Sequence, residues 1–234
     1  MKSHHKNSER YVTKVFEDVF DKYDLMNDLM SLGIHRLWKK KFISWLNPQK
    51  NTKLLDVASG TGDIAKLYFE KTQNLGSAYC VDENKEMLKL NKKKFNESSN
   101  VRWFCNKAEQ LPFKNNIFDY YTISFGIRNV EDINLSIQEA YRVLKPGGRF
   151  LCLEFSKVKN ETLNKVYKTY SKSIPIIGKF VVGNAEPYKY LVNSIENFYN
   201  QDELFEKIKK QKFENISYRN LNGGIVAIHS GWKL

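Results

Sequence analysis

The chain of 234 residues has only three cysteines, Cys80, Cys105 and Cys152, widely separated and odd in number. That argues against disulfide bridges and against a metal site. Each falls inside an expected strand, so they read as buried free thiols of a reducing compartment. No apolar run approaches the roughly 20 residues that span a bilayer, which leaves a soluble or peripheral protein. The first ten residues are polar, with His4-His5 and no apolar segment, and read as neither a signal nor a transit peptide. An organellar presequence would be missing from this chain. There is no internal repeat and no low-complexity linker. Acid is in short supply, 26 Asp and Glu against 38 Lys and Arg, for a net charge of +12. Nucleic acid is the partner such a balance suggests. The charge, however, is mostly lysine scattered over the whole chain, and the dense run Lys92-Lys93-Lys94 falls on an expected helix as a solvated face. An anionic membrane surface would be served equally well.

What is present is a run of alternating elements. Val12, Val15, Phe16, Val19, Phe20 and Tyr23 recur at helical spacing from about Arg10, and Trp38, Phe42, Trp45 and Leu46 mark a second helix ended by Asn47-Pro48. Strands are expected at Lys53–Ala58, Ser77–Asp82, Val101–Cys105, Phe118–Phe125 and Arg149–Phe155. Helices are expected at Ile64–Lys71, Lys85–Phe95 and Asp132–Leu144, with Lys145-Pro146-Gly147-Gly148 as a turn. This alternation predicts a doubly wound, mainly parallel α/β sheet. Beyond it, Glu161–Ser173 reads as a helix, and the apolar stretch 174–193, punctuated by Pro175, Gly178, Gly183 and Pro187, as an irregular lid. Helix Gln201–Gln211 and strands Ile216–Asn220 and Ile225–Ser230 follow, joined through Asn222-Gly223-Gly224 as a hairpin. Two divisions result: a helical cap over 1–50 and a sheet domain over 51–234, with a lid or substrate segment at about 160–200.

The stretch Lys53-Leu-Leu-Asp56-Val-Ala-Ser-Gly60-Thr61-Gly62-Asp63 runs from a buried strand through a turn of small residues into a helix N-terminus. In open α/β sheets a nucleotide-like ligand meets backbone N–H groups there. The third glycine of the dinucleotide fingerprint is absent, position 65 being Ala, and no phosphate loop of the G-x-x-x-x-G-K-[ST] kind occurs. An adenosine ligand without a pyrophosphate fits better, which points to S-adenosylmethionine. Gly60 and Gly62 would let the backbone approach it closely. Asp82, about 20 residues past the turn, sits where an acid accepts hydrogen bonds from both ribose hydroxyls. Asp56 has two readings: it binds the methionyl ammonium, directly or through water, or it braces the loop.

The glycine turn resembles those of class I S-adenosylmethionine methyltransferases, and longer stretches narrow the resemblance. These are Tyr23–Trp38, Ile123-Ser-Phe-Gly-Ile-Arg-Asn-Val130, Glu139–Ser156, Tyr190–Ile195 and Gly224–Trp232. Together they resemble the ubiquinone/menaquinone C-methyltransferase family over nearly the whole chain, most closely its mitochondrial 2-methoxy-6-polyprenyl-1,4-benzoquinol methylase branch. The resemblance implies a Rossmann-like, seven-stranded, mostly parallel sheet ending in an antiparallel hairpin, with N-terminal helices and an apolar lid. It implies methyl transfer to a ring carbon of a polyprenyl benzoquinol. It also implies cofactor positions at Thr61, Asp82, Lys107, Ala108 and Ser124. Ser59 stands where the family usually has Gly and would be strained if its φ were positive; Lys107 replaces a smaller residue and would contribute its backbone. The implied setting is the matrix side of the mitochondrial inner membrane, or the cytoplasm of a bacterium, with other quinone-biosynthesis proteins and a second copy of the chain as partners and no nucleic acid.

Methylation of an aromatic carbon needs an activated ring, and ionising one quinol hydroxyl supplies it. Arg128, just past the fourth strand, is the candidate for stabilising that phenolate while water takes the proton, since a guanidinium is a poor base. The competing reading is a structural guanidinium capping the turn. Asn129 would orient Arg128, Tyr23 and His35 would roof the cleft, and Tyr188 and Tyr190 would stack on the ring. The segment 174–182 would form an apolar wall for the isoprenoid tail. Glu154 lines the pocket or caps a helix, and His229 reads as structural. Three rivals remain at this point: the menaquinone version of the reaction, a non-catalytic cofactor-binding subunit, and an RNA methyltransferase, which lacks its Asn-Pro-Pro-Tyr or Pro-Cys signature here.

Overall fold

A computed structural model describes Asp28, Ser31 and residues 33–95 and 100–234. The helix expected from Arg10, with Tyr23, lies outside the described residues. The elements run α1 (His35–Leu46), β1 (Thr52–Val57), α2 (Asp63–Thr72), β2 (Gly76–Val81), α3 (Lys85–Lys94), β3 (Val101–Phe104), β4 (Phe118–Ser124), α4 (Ile133–Val143), β5 (Leu144–Phe155), α5 (Glu161–Val182), α6 (Glu186–Asn197), α7 (Gln201–Lys210), β6 (Glu214–Leu221) and β7 (Val226–Trp232). A one-turn 3₁₀ segment, Ile127–Asn129, follows β4. The described chain falls into two compact units. One holds Leu37–Lys157 and Tyr199–Leu234; the other holds the described residues up to Arg36 with Val158–Phe198.

The first unit is a seven-stranded sheet of order β3-β2-β1-β4-β5-β7-β6. The first five strands are mutually parallel, and β7 runs antiparallel to both β5 and β6. The expected class I methyltransferase architecture is therefore present. Continuous apolar runs make β1 and β5 buried strands: Leu54, Leu55, Phe150, Leu151 and Leu153 are almost wholly enclosed. Right-handed crossovers put α2 and α3 on one face and α4 on the other. The chain order reverses between β1 and β4, so the carboxyl ends of these two strands form the switch point at which such sheets hold ligands. On one side of it Tyr79 stacks parallel to Phe104, and Phe113 and Phe118 meet these rings and each other edge to face. On the other, Trp38 of α1 packs on Phe125 and Phe155 while its indole N–H donates to Asn222 Oδ1 at 2.7 Å.

Some expectations need correction. β5 begins at Leu144, and the register jump opposite Phe118 and Tyr120 shows that the Lys145–Gly148 turn bulges from the strand, with Gly147 at φ 79°. Cys105 lies one residue past β3 and is exposed, whereas Cys80 and Cys152 are buried. The largest difference is the lid, which is two regular helices. α5 continues through Pro175 to Val182 and ends on Gly183 at φ 81°. An internal proline costs a helix about 3 kcal/mol, but Ile174 and Gly178 on the same face are buried and hold the helix against α6. A Cβ on Gly178 would stand 2.3 Å from the ring of Tyr188, so the two helices meet at a contact only glycine allows.

Candidate functional site

β1 delivers Asp56 to the middle of the sheet, almost wholly buried. Register places it beside Thr122 of β4, whose hydroxyl donates to Asp56 Oδ1 at 2.8 Å. Oδ2 has no hydrogen-bond partner among the described residues. Burial pushes the Asp56 carboxyl up to about 7, opposed by the Thr122 bond and the Lys39 cation. Lys39 of α1 is itself buried and donates to Asp63 Oδ2 at 2.7 Å, in the first turn of α2.

After β1 the chain turns sharply. Ala58, Gly60 and Gly62 take φ of 51°, 50° and 75°, while Ser59 is not in the left-handed region. Serine in place of the family's glycine therefore brings no strain. Ala58 brings it instead, at roughly 1–3 kcal/mol for a non-glycine residue so placed. A Cβ on Gly126 would lie 2.3 Å from the Cβ of Ala58, so the loops after β1 and β4 touch. Phe125 between them is also left-handed, at φ 56°. Two strained residues at one strand edge are the mark of a site rather than of a plain connection.

Asp82, just past β2, holds the turn in shape. Its Oδ2 accepts the Gly60 N–H at 2.8 Å and its Oδ1 the Asn84 N–H at 2.9 Å, where α3 begins. A carboxylate has about four acceptor sites, so each oxygen keeps one for a ribose hydroxyl. Burial raises the Asp82 carboxyl, and the two backbone bonds oppose the rise. α2 starts at Gly62 with no side-chain cap, leaving its first N–H groups to a ligand. Ser59 Oγ and Ser124 Oγ are buried without a partner among the described residues, like Asp56 Oδ2. Three unsatisfied polar atoms along one carboxyl edge are costly unless a polar ligand meets them. The residues thus fit S-adenosylmethionine: Asp56 beside an ammonium, the glycine turn against the amino-acid end, Asp82 on the ribose. Thr61 is half-buried in the turn and Ala108 is buried in the loop after β3. The Lys107 ammonium is drawn away to Glu131, 2.9 Å distant.

On the other side of the switch point the 3₁₀ turn presents Arg128. One guanidinium nitrogen donates to Phe125 O at 2.7 Å and to Glu154 Oε1 at 2.9 Å, and both side chains are enclosed. The cation also lies 5.8 Å from the centroid of the Phe155 ring. Burial raises the Glu154 carboxyl and Arg128 pulls it back. Asn129 closes the turn through its backbone N–H to Gly126 O. The bond from Arg128 to Phe125 O is the geometry of a turn cap, and Glu154 pairs with the Arg128 side chain while its Oε2 also accepts the Arg128 backbone N–H of the 3₁₀ turn at 3.4 Å.

The remaining expected residues are divided. His35 belongs to the unit of α5 and α6, where its ring meets Ser31 Oγ at 3.0 Å and Asp28 Oδ1 at 3.5 Å. Tyr188 is wholly buried against Gly178, so its ring is spent on helix packing and has no face left for a substrate; Tyr190 on the same helix is half-buried. His229 is buried with its Nε2 2.8 Å from Gln201 O, and burial lowers it to about 4, the structural role expected of it. Thr122, Lys39 and Gly126 were not legible as site residues, because nothing in the sequence displays cross-strand register or the approach of two loops. No group of His, Cys, Asp or Glu among the described residues could hold a metal ion.

Comparison with known proteins adds to this geometry. Residues 4–233 match the profile of the ubiE/COQ5 methyltransferase family. The chain is 56% identical over 230 residues to the ubiquinone/menaquinone biosynthesis C-methyltransferase UbiE of Rickettsia bellii, covering 95% of this chain and 92% of that one. The protein of the same name from Rickettsia prowazekii is 53% identical over the same shares. Among solved structures, a SAM-dependent methyltransferase from Thermotoga maritima superposes with a TM-score of 0.67 at 19% identity, over 94% of this chain and 99% of that one. Phosphoethanolamine N-methyltransferase 2 of Haemonchus contortus, solved with S-adenosylhomocysteine, gives 0.63 at 16% identity, over 84% and 52%.

Proposed function

Because the chain belongs to the ubiE/COQ5 methyltransferase family, and is thus an S-adenosylmethionine-dependent C-methyltransferase of quinone biosynthesis, we propose that its acceptor is a polyprenyl methoxy-benzoquinol. When bound, the cofactor supplies a sulfonium methyl, an electrophile strong enough for carbon once the ring is activated. The rest falls to the protein. The phenolic oxygen lies toward Arg128, whose charge favours the phenolate, and water carries away the proton. The ring carbon ortho or para to that oxygen gains the methyl group and then loses its hydrogen as a proton, which restores the aromatic ring and leaves the thioether behind. Glu154 positions Arg128, and Asn129 holds the turn that carries it. The observation behind this reading is the enclosed Arg128–Glu154 pair on the strand edge that also carries the unsatisfied atoms of the donor site. The working place of such an enzyme is the inner face of a quinol-bearing membrane, cytoplasmic in a bacterium or matrix-side in a mitochondrion.

The test is methyl transfer by the full chain to short-tailed demethyl quinols kept reduced, with product mass as the readout. The expected result is a higher kcat/KM for the benzoquinol than for the naphthoquinol. Preference for the naphthoquinol would make the menaquinone reaction the correct one, and no transfer to either would leave a cofactor-binding subunit.

Asp56 allows a separate check on the donor side. A carboxyl raised in the fold keeps its proton while the unfolded chain loses it, so its contribution to stability is greatest at low pH and declines between about pH 4 and pH 7. An ammonium brought beside Oδ2 favours the ionised form. Cofactor binding below about pH 7 is therefore expected to release close to one proton, read from the dependence of calorimetric enthalpy on buffer ionisation, and Asp56→Asn is expected to abolish the release. Absence of release in the unaltered protein would mean that Asp56 only braces the loop.

A further inference from the structure

α5 carries two neighbouring, largely exposed stripes, whose only side-chain hydrogen bonds among the described residues run back to the helix's own carbonyls, from Thr169 to Lys165 O and from Ser173 to Tyr170 O. Val166, Thr169, Ser173, Ile176 and Phe180 follow one another at spacings of three and four residues, one line along the helix. Val166, Ile176 and Phe180 are 63%, 61% and 85% exposed, three of the seven large apolar side chains so exposed among the described residues. Beside them Lys165, Lys168, Lys172 and Lys179 form a parallel line, every one exposed, and among the described residues none of the four is in an ion pair. The only acid of α5 is Glu161, at its start. The opposite face, through Ser171, Ile174 and Gly178, is the one buried.

We infer that this outer face of α5 docks on an anionic lipid surface, with Phe180, Ile176 and Val166 entering the headgroup layer and the lysine line lying on the phosphates. A helix with a basic line beside an apolar one lies in the plane of a membrane interface, and lysine stems reach from apolar ground to a charged layer. A protein partner fits less well, because lysine is depleted at the centres of protein interfaces. A second copy packed symmetrically would bring the two lysine lines together and repel. α5 lies within the length range of interfacial helices, and no described helix is long and apolar enough to cross a membrane. The docking surface is made of α5 residues alone, none of them a methyl-transfer residue, and does not depend on which quinol the site accepts.

The experiment is co-sedimentation of the full chain, without substrate or cofactor, with phosphatidylcholine vesicles and with vesicles containing phosphatidylglycerol as well. Binding to the mixed vesicles that weakens with salt is expected, on the order of fivefold per lysine engaged. The pair Ile176→Ser and Phe180→Ser should lower it by about tenfold through lost apolar insertion. The set Lys165→Gln, Lys168→Gln, Lys172→Gln and Lys179→Gln should remove both the preference for anionic lipid and the salt dependence. Both variants should keep the thermal midpoint and the S-adenosylmethionine affinity of the unaltered chain, which separates a docking defect from a folding defect. Failure to bind mixed vesicles, or equal binding by both variants, would overturn the inference. So would a dimer that the serine pair abolishes while vesicle binding is absent.

Discussion

Asp82→Ala is expected to weaken S-adenosylmethionine binding by at least about 100-fold while the chain still folds. The Asp82 carboxylate accepts the Gly60 and Asn84 N–H groups and has one further acceptor site on each oxygen for the ribose hydroxyls. A hydrogen bond to a charged group contributes about 1.5–3 kcal/mol, so loss of both ribose bonds removes roughly 3–6 kcal/mol of binding, and release of Gly60 loosens the turn as well. Asp82→Asn retains one carbonyl oxygen and should fall between, at about tenfold, because its NH₂ faces one of two donors. Calorimetric titration measures both. An alanine variant that binds within a few-fold of the unaltered protein would show that the ribose lies elsewhere and that Asp82 serves only the loop.

The second large effect concerns the enclosed pair. Arg128→Met leaves Glu154 buried without its cation, and Glu154→Leu leaves the guanidinium buried without its anion. Each is expected to cost about 3–5 kcal/mol of stability, read from denaturant midpoints. Burial already raises the Glu154 carboxyl and Arg128 is the main group opposing it, so in Arg128→Met that carboxyl should hold its proton closer to neutral pH. A raised carboxyl contributes stability at low pH and loses it as pH climbs to its folded value. The single variant should therefore lose less stability in mild acid than at pH 8. Combining Arg128→Met with Glu154→Leu removes both charges and should recover most of the loss. Turnover separates the two roles of Arg128. If it faces the phenolic oxygen, the double variant is stable and inactive. If Arg128 only caps the turn after β4, the double variant regains activity with stability. Arg128→Lys bears on the same question, since the shorter lysine keeps the charge but not the reach of the one guanidinium nitrogen that bonds both Phe125 O and Glu154. Full turnover with an unchanged pH profile in that variant would end the phenolate role.

How the site is built explains why part of it could be read early. Gly60, Gly62 and Asp82 are constrained by backbone approach and by the length of one βα unit, and both leave a trace in residue type and spacing. Asp56 could be placed but not given a role, because its behaviour depends on Thr122, sixty-six residues away, on Lys39, and on Oδ2 having no partner among the described residues. Ser59 would have been strained only at a positive φ, and the left-handed residues are instead Ala58 and Phe125, for only assembled loops decide which residue takes the left-handed turn.

The segment 174–193 shows the same limit from the other direction. Pro175, Gly178 and Gly183 carry the residue types of a broken lid, and local propensity supports that reading. Gly178 is there because the ring of Tyr188 needs its space, and packing of that kind outweighs the proline penalty. Once the helix is continuous, its period places Ile176 and Phe180 outward with the lysines beside them, where an irregular chain would have scattered them.

By itself the sequence determined the alternating α/β order, the antiparallel end of the sheet, the donor turn and the family, because strand and helix periods, glycine positions and long motifs are local properties. Only the tertiary structure decided that Arg128 is paired with Glu154, that Asp56 is left, among the described residues, with an unsatisfied oxygen, that Tyr188 is packed against Gly178, and that one face of α5 is exposed. Each of these is settled by burial and by neighbours far apart along the chain, and spacing along a sequence carries no record of either.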